Sequence, residues 1–339
     1  MTKLRYKILG RNRLKDLQPP SYLIPRILPE QGLVTLVAEP SSKKSFLAVH
    51  MASCVATGTP FFDIPTNKGN IVYIAAEGQF GMRKRISAWE VEQGISIADE
   101  AFGIVAEPLQ INDVEKLLAL MASLLEHAEQ FGGVSLVVID TLNRTLMGDE
   151  NAPRDMTTFV AGCSEIINQL GCAVLLLHHP SKNGNGGARG HSALMGAADV
   201  GLKIENGRQD RFTVKMNDKP PKDDEPADDL RIEIKVVDLE SEFGLDAHGR
   251  PVTSLVLVPS SVYSNGNDIK PKQLTQQKVL MDAIPKLIGD NRANRDTIRT
   301  QLKMHGHDIN EKALSRALSA LVEDGVLFKP DRSLYAIAN

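Results

Sequence analysis

Five short runs constrain what this chain can fold into. Leu33-Val34-Thr35-Leu36-Val37, Asn70 to Ala76, Gly103-Ile104-Val105, Ser135 to Asp140 and Ala173 to His179 are apolar at almost every residue rather than at every second one. Side chains alternate across a strand, so a run of this kind buries both faces. The stretches between read as helices: Ser45–Val55, then Val114–Gln130 with Leu117, Leu118, Met121, Leu124 and Leu125 on its apolar face, then Met156–Leu170 ending near Gly171. Apolar strands joined by helices predict an α/β fold, a parallel sheet covered on both sides.

The pattern changes after residue 199. Val200–Glu205, Arg211–Met216 and Arg231–Val237 read as shorter, more alternating strands. Between the last two lies DKPPKDDEPADD, Asp218–Asp229, whose prolines and acids predict a mobile loop. Residues 264–272 read as a linker. Three helical patterns follow, Thr275–Ile288, Arg295–His305 and Glu311–Asp324, then a hairpin of Val326–Phe328 and Leu334–Ile337. Three helices and a hairpin predict a C-terminal winged-helix domain over 273–339, behind a core over 31–263 and a basic segment over 1–30.

The 339 residues carry 39 Lys+Arg against 42 Asp+Glu, a net charge of −3. That average excludes only a uniformly basic binder. Residues 1–30 hold a net +5 and residues 270–339 a net +4, which leaves −12 for the body between them. Basic ends are therefore free to meet phosphate. Three cysteines without metal-ligand spacing predict a reducing, cytoplasmic setting. No apolar run of about 18 residues predicts a membrane span, and the N-terminus has no long apolar stretch of a secretory signal.

Ala38-Glu39-Pro40-Ser41-Ser42-Lys43-Lys44-Ser45 stands between the first strand and the first helix, in register with the phosphate-loop pattern G-x-x-x-x-G-K-[ST]. Both glycines are replaced, by Ala38 and Lys43, while Lys44 and Ser45 hold the two chemically active places. In such a loop backbone N–H groups and the helix N-terminus cradle phosphate, the lysine reaches the β- and γ-phosphates, and the serine hydroxyl ligates Mg²⁺. The nucleotide-contacting candidates are Pro40, Ser41, Ser42, Lys43, Lys44, Ser45 and Phe46. The competing reading is an ordinary strand–helix turn with solvated lysines. Loss of the second glycine weighs against the loop, because that position often needs a positive φ.

Asp140 closes the strand Leu136–Ile139 at the edge where open parallel sheets bind ligands, and suits a contact to Mg²⁺. Glu77 follows the strand Val72–Ala76 and is placed to polarise water for attack on a γ-phosphate. His178-His179 closes the strand after Asp140, and one of the pair is a candidate phosphate sensor. Adjacent residues point to opposite faces, which argues against zinc. Solvated strand-end or loop side chains are the alternative for each.

The order SSKKS, IAAEG, VVIDTLNRT, LLLHHPSK, ARGHSALMGAADV resembles the RecA-like ATPases of the plasmid RepA-type hexameric replicative helicases and their phage and mobile-element relatives. The likeness spans about residues 18–260. It implies ATP with Mg²⁺ as cofactors, Lys44 and Ser45 as the Walker A pair, Asp140 as the Walker B aspartate, Glu77 as the catalytic glutamate and His179 as the sensor. It also implies a homo-oligomeric ring with ATP between subunits, a neighbour supplying a cation. Candidates for that cation are Arg189, Lys215 and Lys219; an arginine at the match is more usual. In such rings a mobile loop grips single-stranded DNA, here the Gly-rich Ser181–Met195, with Lys182, Arg189 and His191 as contacts. The basic triplet Arg83, Lys84 and Arg85 faces nucleotide, a neighbour or solvent. On the tail, Lys312 and Arg316 of the third helix are the candidates for duplex DNA, with a replication protein as the alternative partner.

The function expected is an ATP-dependent, ring-forming DNA motor of the replicative-helicase kind. The alternative is a nucleotide-gated DNA-binding regulator or helicase-loading factor with little hydrolysis, favoured by the replaced glycines.

Overall fold

The apolar runs come together as neighbouring strands of one nine-stranded sheet. The computed structural model describes residues 10–11, 20–107, 109–180, 189–206, 211–222 and 224–260, and in the tail 284, 288, 293–304, 311–323, 327–328 and 334–337. The chain divides into two units, Met1–Pro259 and Ser260–Asn339.

In the first unit a small pairing of β1 (Tyr22–Ile24) with β2 (Leu28–Pro29) leads into the sheet. Then come β3 (Gly32–Val37), α1 (Lys44–Thr57), β4 (Ile71–Ala75), α2 (Met82–Gln93), β5 (Phe102–Val105), α3 (Val114–Phe131) and β6 (Leu136–Asp140). The short α4 (Leu142–Thr145), α5 (Pro153–Leu170), β7 (Ala173–His178), α6 (Arg189–Ala197) and β8 (Val200–Asn206) complete the parallel part. The remainder is β9 (Arg211–Lys219), β10 (Leu230–Asp238), α7 (Glu240–Phe243) and β11 (Thr253–Pro259). The sheet order is β11-β10-β9-β8-β3-β7-β6-β4-β5. From β8 to β5 every pairing is parallel; β8 to β11 pair antiparallel. This parallel-dominated sheet with its helices fits the α/β RecA-like core expected.

Alternation along the strands builds two cores. Val34, Leu36, Tyr73, Val138 and Leu175 point to one side, packing on Leu47, Met51 and Val55 of α1. Leu33, Val72, Ile74, Val137, Ile139 and Val174 point to the other, packing on α3 and α5. Both faces are buried, which is why the strands read as unbroken apolar runs.

Three expectations need correcting. The buried face of α3 is Leu120, Met121 and Leu124, whereas Leu118 and Leu125 are 64% and 45% exposed. Val114–Gln130 holds more apolar residues than one helix face can bury, so the leucine count did not fix the rotation. The acidic loop is shorter than read, because β9 runs on to Lys219, and it is anchored where Asp229 meets Lys215 and the Met216 amide. The Gly-rich segment does not extend as loop to Met195: from Arg189 it is the helix α6.

In the second unit, β12 (Ala293–Asn294), α8 (Arg295–Met304), α9 (Glu311–Glu323), β13 (Leu327–Phe328) and β14 (Leu334–Ile337) surround a small core of Ile284, Ile288, Ile298, Leu302, Leu314, Leu318 and Leu327. The three strands pair antiparallel in the order β12-β14-β13. The linker read at 264–272 and most of the helix read at 275–288 lie outside the described residues. None of the described helices is long and apolar enough to cross a membrane.

Candidate active site

Parallel pairing of β3, β7, β6 and β4 brings their C-terminal ends to one edge. Val37 stands beside His178, and Ala75 beside Asp140. The residues following these strands are the phosphate-like loop, His179, Thr141 and Glu77.

The loop between β3 and α1 adopts the conformation that its sequence argued against. Lys43 sits at φ 68, ψ 19, and Ser41 at φ 62, both left-handed. A side chain in that region costs about 1–2 kcal/mol relative to glycine. Lys43 is the N-cap of α1 and its carbonyl accepts from the Leu47 amide at 3.1 Å, so the turn is held by the helix it starts. The first amides of α1 have no partner within the helix and form an anion-binding end.

Lys44 is the first residue of α1 and is 7% exposed. Its Nζ lies 3.1 Å from Nε2 of His179. Burial holds the ammonium below the usual lysine range, while the carboxylates of Asp140 and Glu77 pull it back up. Asp140 is 1% exposed, with one oxygen, Oδ2, accepting from the Tyr73 hydroxyl at 2.8 Å. Burial pushes its carboxyl above the usual range; Tyr73, Ser45, Lys44 and Arg85 oppose that push. The second oxygen, Oδ1, is buried without a hydrogen bond. An orphaned carboxylate oxygen next to a serine hydroxyl is the donor chemistry that a hydrated Mg²⁺ takes up, so the residues present fit the ion.

Glu77 is tied to the same place by its backbone, whose amide donates to the Asp140 carbonyl at 3.1 Å. Its side chain is more open, 3.4 Å from the Thr141 hydroxyl and 4.0 Å from Arg144 Nε. Ser41–Phe46, Glu77, Gly78 and Arg85 line a cleft of about 300 Å³. Gly78, at φ 70, leaves room for the Arg85 guanidinium, which also lies 5.0 Å over the Phe46 ring. A larger cleft of about 460 Å³ runs along β5 and α3, away from the loop, and holds none of these groups.

Of the basic triplet, Arg85 lines the cleft, while Arg83 pairs with Glu242 at 3.1 Å and lies over Phe243. Lys215 pairs with Asp229 at 2.7 Å, a bond that holds its ammonium above the usual range. Lys219 donates to the carbonyls of Met195, Gly196 and Ala198, closing the C-terminal end of α6. Both lysines are thus engaged within their own chain. Lys182 lies outside the described residues; Arg189 and His191 are in α6, and Lys312 and Arg316 in α9, with their side chains outside them. Pro40 is exposed at the turn, and no group of three or more His, Cys, Asp or Glu side chains gathers to hold a metal among the described residues.

Sequence reasoning missed Tyr73 and Arg144 as members of the site, and named Arg85 only within a basic triplet that it did not resolve. Tyr73 carried a signal: it is the one hydroxyl-bearing side chain inside the run Ile71–Ala75. Arg144 carried none beyond its place four residues after Asp140.

Compared with known proteins, residues 6–185 match the family described as AAA domain, over just over half the chain. Among solved structures the chain is similar to one described as the ATPase domain of G40P, at 13% identity and a TM-score of 0.45. That likeness covers 60% of this chain and 81% of the other.

Proposed function

This chain belongs to the AAA domain family, and from that premise we propose that it is an ATP-hydrolysing, ring-forming motor on single-stranded DNA, of the replicative-helicase kind. The observation that carries the reading is the meeting of Lys44, Asp140, Glu77 and His179 at one sheet edge, with Lys44 and Glu77 lining the 300 Å³ cleft.

Each side chain has a role that its surroundings support. The helix amides and Lys44 bind the phosphates. Ser45 and Asp140 hold Mg²⁺, which supplies charge neutralisation on the phosphates when bound. Glu77, exposed enough to reach solvent and fixed through its backbone, orients and deprotonates the attacking water. His179, within reach of Lys44, reports the state of the terminal phosphate to β7. Arg85 adds a second cation from the same chain. In a hexameric ring Lys182, with Arg189 and His191 at the start of α6, holds single-stranded DNA. The second unit, read as a winged helix, presents Lys312 and Arg316 to duplex DNA or to a replication protein.

A second reading has its own support. With Lys215 on Asp229 and Lys219 on α6, the described lysines offered to a neighbour are occupied, as suits a nucleotide-gated regulator or helicase loader that turns over slowly. ATP hydrolysis by size-fractionated protein, with and without single-stranded DNA, separates the two. The motor requires DNA-stimulated turnover in the large fraction, unwinding of a forked duplex, and loss of both in Lys44→Ala. Tight nucleotide binding with no stimulated turnover establishes the regulator instead.

A further inference from the structure

Tyr73 has a place that packing alone does not explain. It is the third residue of β4, in register with Val138 of β6, and fully buried. Its ring stacks on Phe102 at 6.3 Å and 12°. A phenylalanine fills almost the same space without burying a hydroxyl, which costs free energy unless it is bonded. The hydroxyl is bonded, and its partner is Asp140 Oδ2 at 2.8 Å.

That bond makes the two carboxylate oxygens unequal. Oδ2 is committed to the sheet interior, while Oδ1 is buried with no partner. A short side chain held by one oxygen on a rigid, stacked donor cannot rotate to offer the other oxygen.

We propose that Tyr73 is a positioning residue for the divalent cation: its hydroxyl locks Asp140 so that Oδ1 alone is presented to the metal of a bound metal–nucleotide complex. This rests on the ATP-site reading above. Removing the hydroxyl takes away the fixed donor on Oδ2 and frees the carboxylate to turn, so the loss appears in metal dependence and not in binding of the nucleotide itself.

The test uses the full chain and its Tyr73→Phe variant. Binding of a fluorescent ATP analogue is measured in EDTA and across a Mg²⁺ titration, and Mn²⁺ uptake on the nucleotide complex by electron paramagnetic resonance. In EDTA the variant should match the parent. The half-saturating Mg²⁺ and Mn²⁺ concentrations should rise about tenfold, the scale of one hydrogen bond to a charged group. Phe102→Leu, which loosens the ring and keeps the hydroxyl, should raise those concentrations clearly less than Tyr73→Phe does. Independently of any variant, the 3-fluorotyrosine resonance of Tyr73 in the unsubstituted sequence should shift when Mg²⁺ joins the nucleotide complex. Unchanged metal dependence in Tyr73→Phe, an equal rise in Phe102→Leu, or a silent Tyr73 resonance each overturns the proposal while leaving the ATP site standing. A parent protein that binds no nucleotide, with or without Mg²⁺, removes both.

Discussion

The Nζ of Lys44 lies 3.1 Å from Nε2 of His179, across the gap between the first turn of α1 and the end of β7. The pairing of Val37 with His178 sets that approach, so it is a property of the sheet. On the proposed ATP-site reading, a buried lysine held by an imidazole and two nearby carboxylates would exchange those partners for phosphate when nucleotide arrives. On this arrangement His179→Ala should lower turnover about 100-fold, in the range of a lost general acid–base or polar contact, with nucleotide affinity within about threefold of the parent. Lys44→Ala should lose affinity as well. Titration with a fluorescent nucleotide beside steady-state hydrolysis separates the cases. If His179→Ala loses binding in step with turnover, the histidine only orients Lys44.

Lys43 gives a second expectation. Its φ of 68 places a long side chain where glycine belongs. Lys43→Gly relieves about 1–2 kcal/mol of backbone strain and gives back up to about 1 kcal/mol in unfolded-state entropy. Urea unfolding should therefore find the glycine variant as stable as the parent or up to about 1.5 kcal/mol more stable. Lys43→Val, β-branched at the same φ, should cost more than 1 kcal/mol. A glycine variant that is clearly less stable would mean that the lysine side chain makes a contact worth more than the strain.

Much of this site was legible before any coordinates, for a physical reason. Asp140, Glu77, His179 and Lys44 each stand where an apolar strand stops or a helix starts, and parallel pairing brings all such ends to one edge. What was not legible depends on contacts between strands. Tyr73 looks like any core aromatic until β4 and β6 are in register, and only then does its hydroxyl meet Asp140. Arg85 was one of three adjacent cations, and only the helix rotation separates it from Arg83. The replaced glycine at Lys43 was read as a cost, and the positive φ found there shows the chain accepting that cost.

Rotation of α3 makes a third prediction. Leu124 is 1% exposed in the core between sheet and helices, while Leu118 is 64% exposed. Leu124→Ala should cost about 2–5 kcal/mol, and Leu118→Gln less than about 0.5 kcal/mol. Both lie on one helix and both are leucines, and the helix-propensity difference between Ala and Gln is a few tenths of a kcal/mol, about an order of magnitude below the burial loss. Equal losses in denaturant would show that α3 is rotated from the position described, or that Leu118 is covered in the protein's assembled form. Repeating the measurement across protein concentration distinguishes those outcomes.

The last prediction concerns acid. His50 in α1 is 5% exposed, stacked on Phe62 at 4.3 Å and edge-on to Trp89 at 6.4 Å. Neither ring nitrogen has a hydrogen-bond partner, and burial pulls its pKa down to about 4 from 6.5. The folded protein therefore keeps His50 neutral in a range where the unfolded chain binds a proton. Its contribution is intact above pH 6.5, falls as pH drops from 6.5 to 4, and falls no further below that. The full loss is about 3 kcal/mol. Asp140, raised by burial, acts with the opposite sign, yet it is present in parent and variant and cancels in their difference. Replacing His50→Leu should remove this part of the acid sensitivity, so the stability difference between parent and variant should change by about 3 kcal/mol from pH 7 to pH 4. Trp89, the chain's one tryptophan and a neighbour of the imidazole, reports unfolding of this unit directly. Parallel pH profiles for the two proteins would mean that water or another group reaches the imidazole and lets it charge without unfolding.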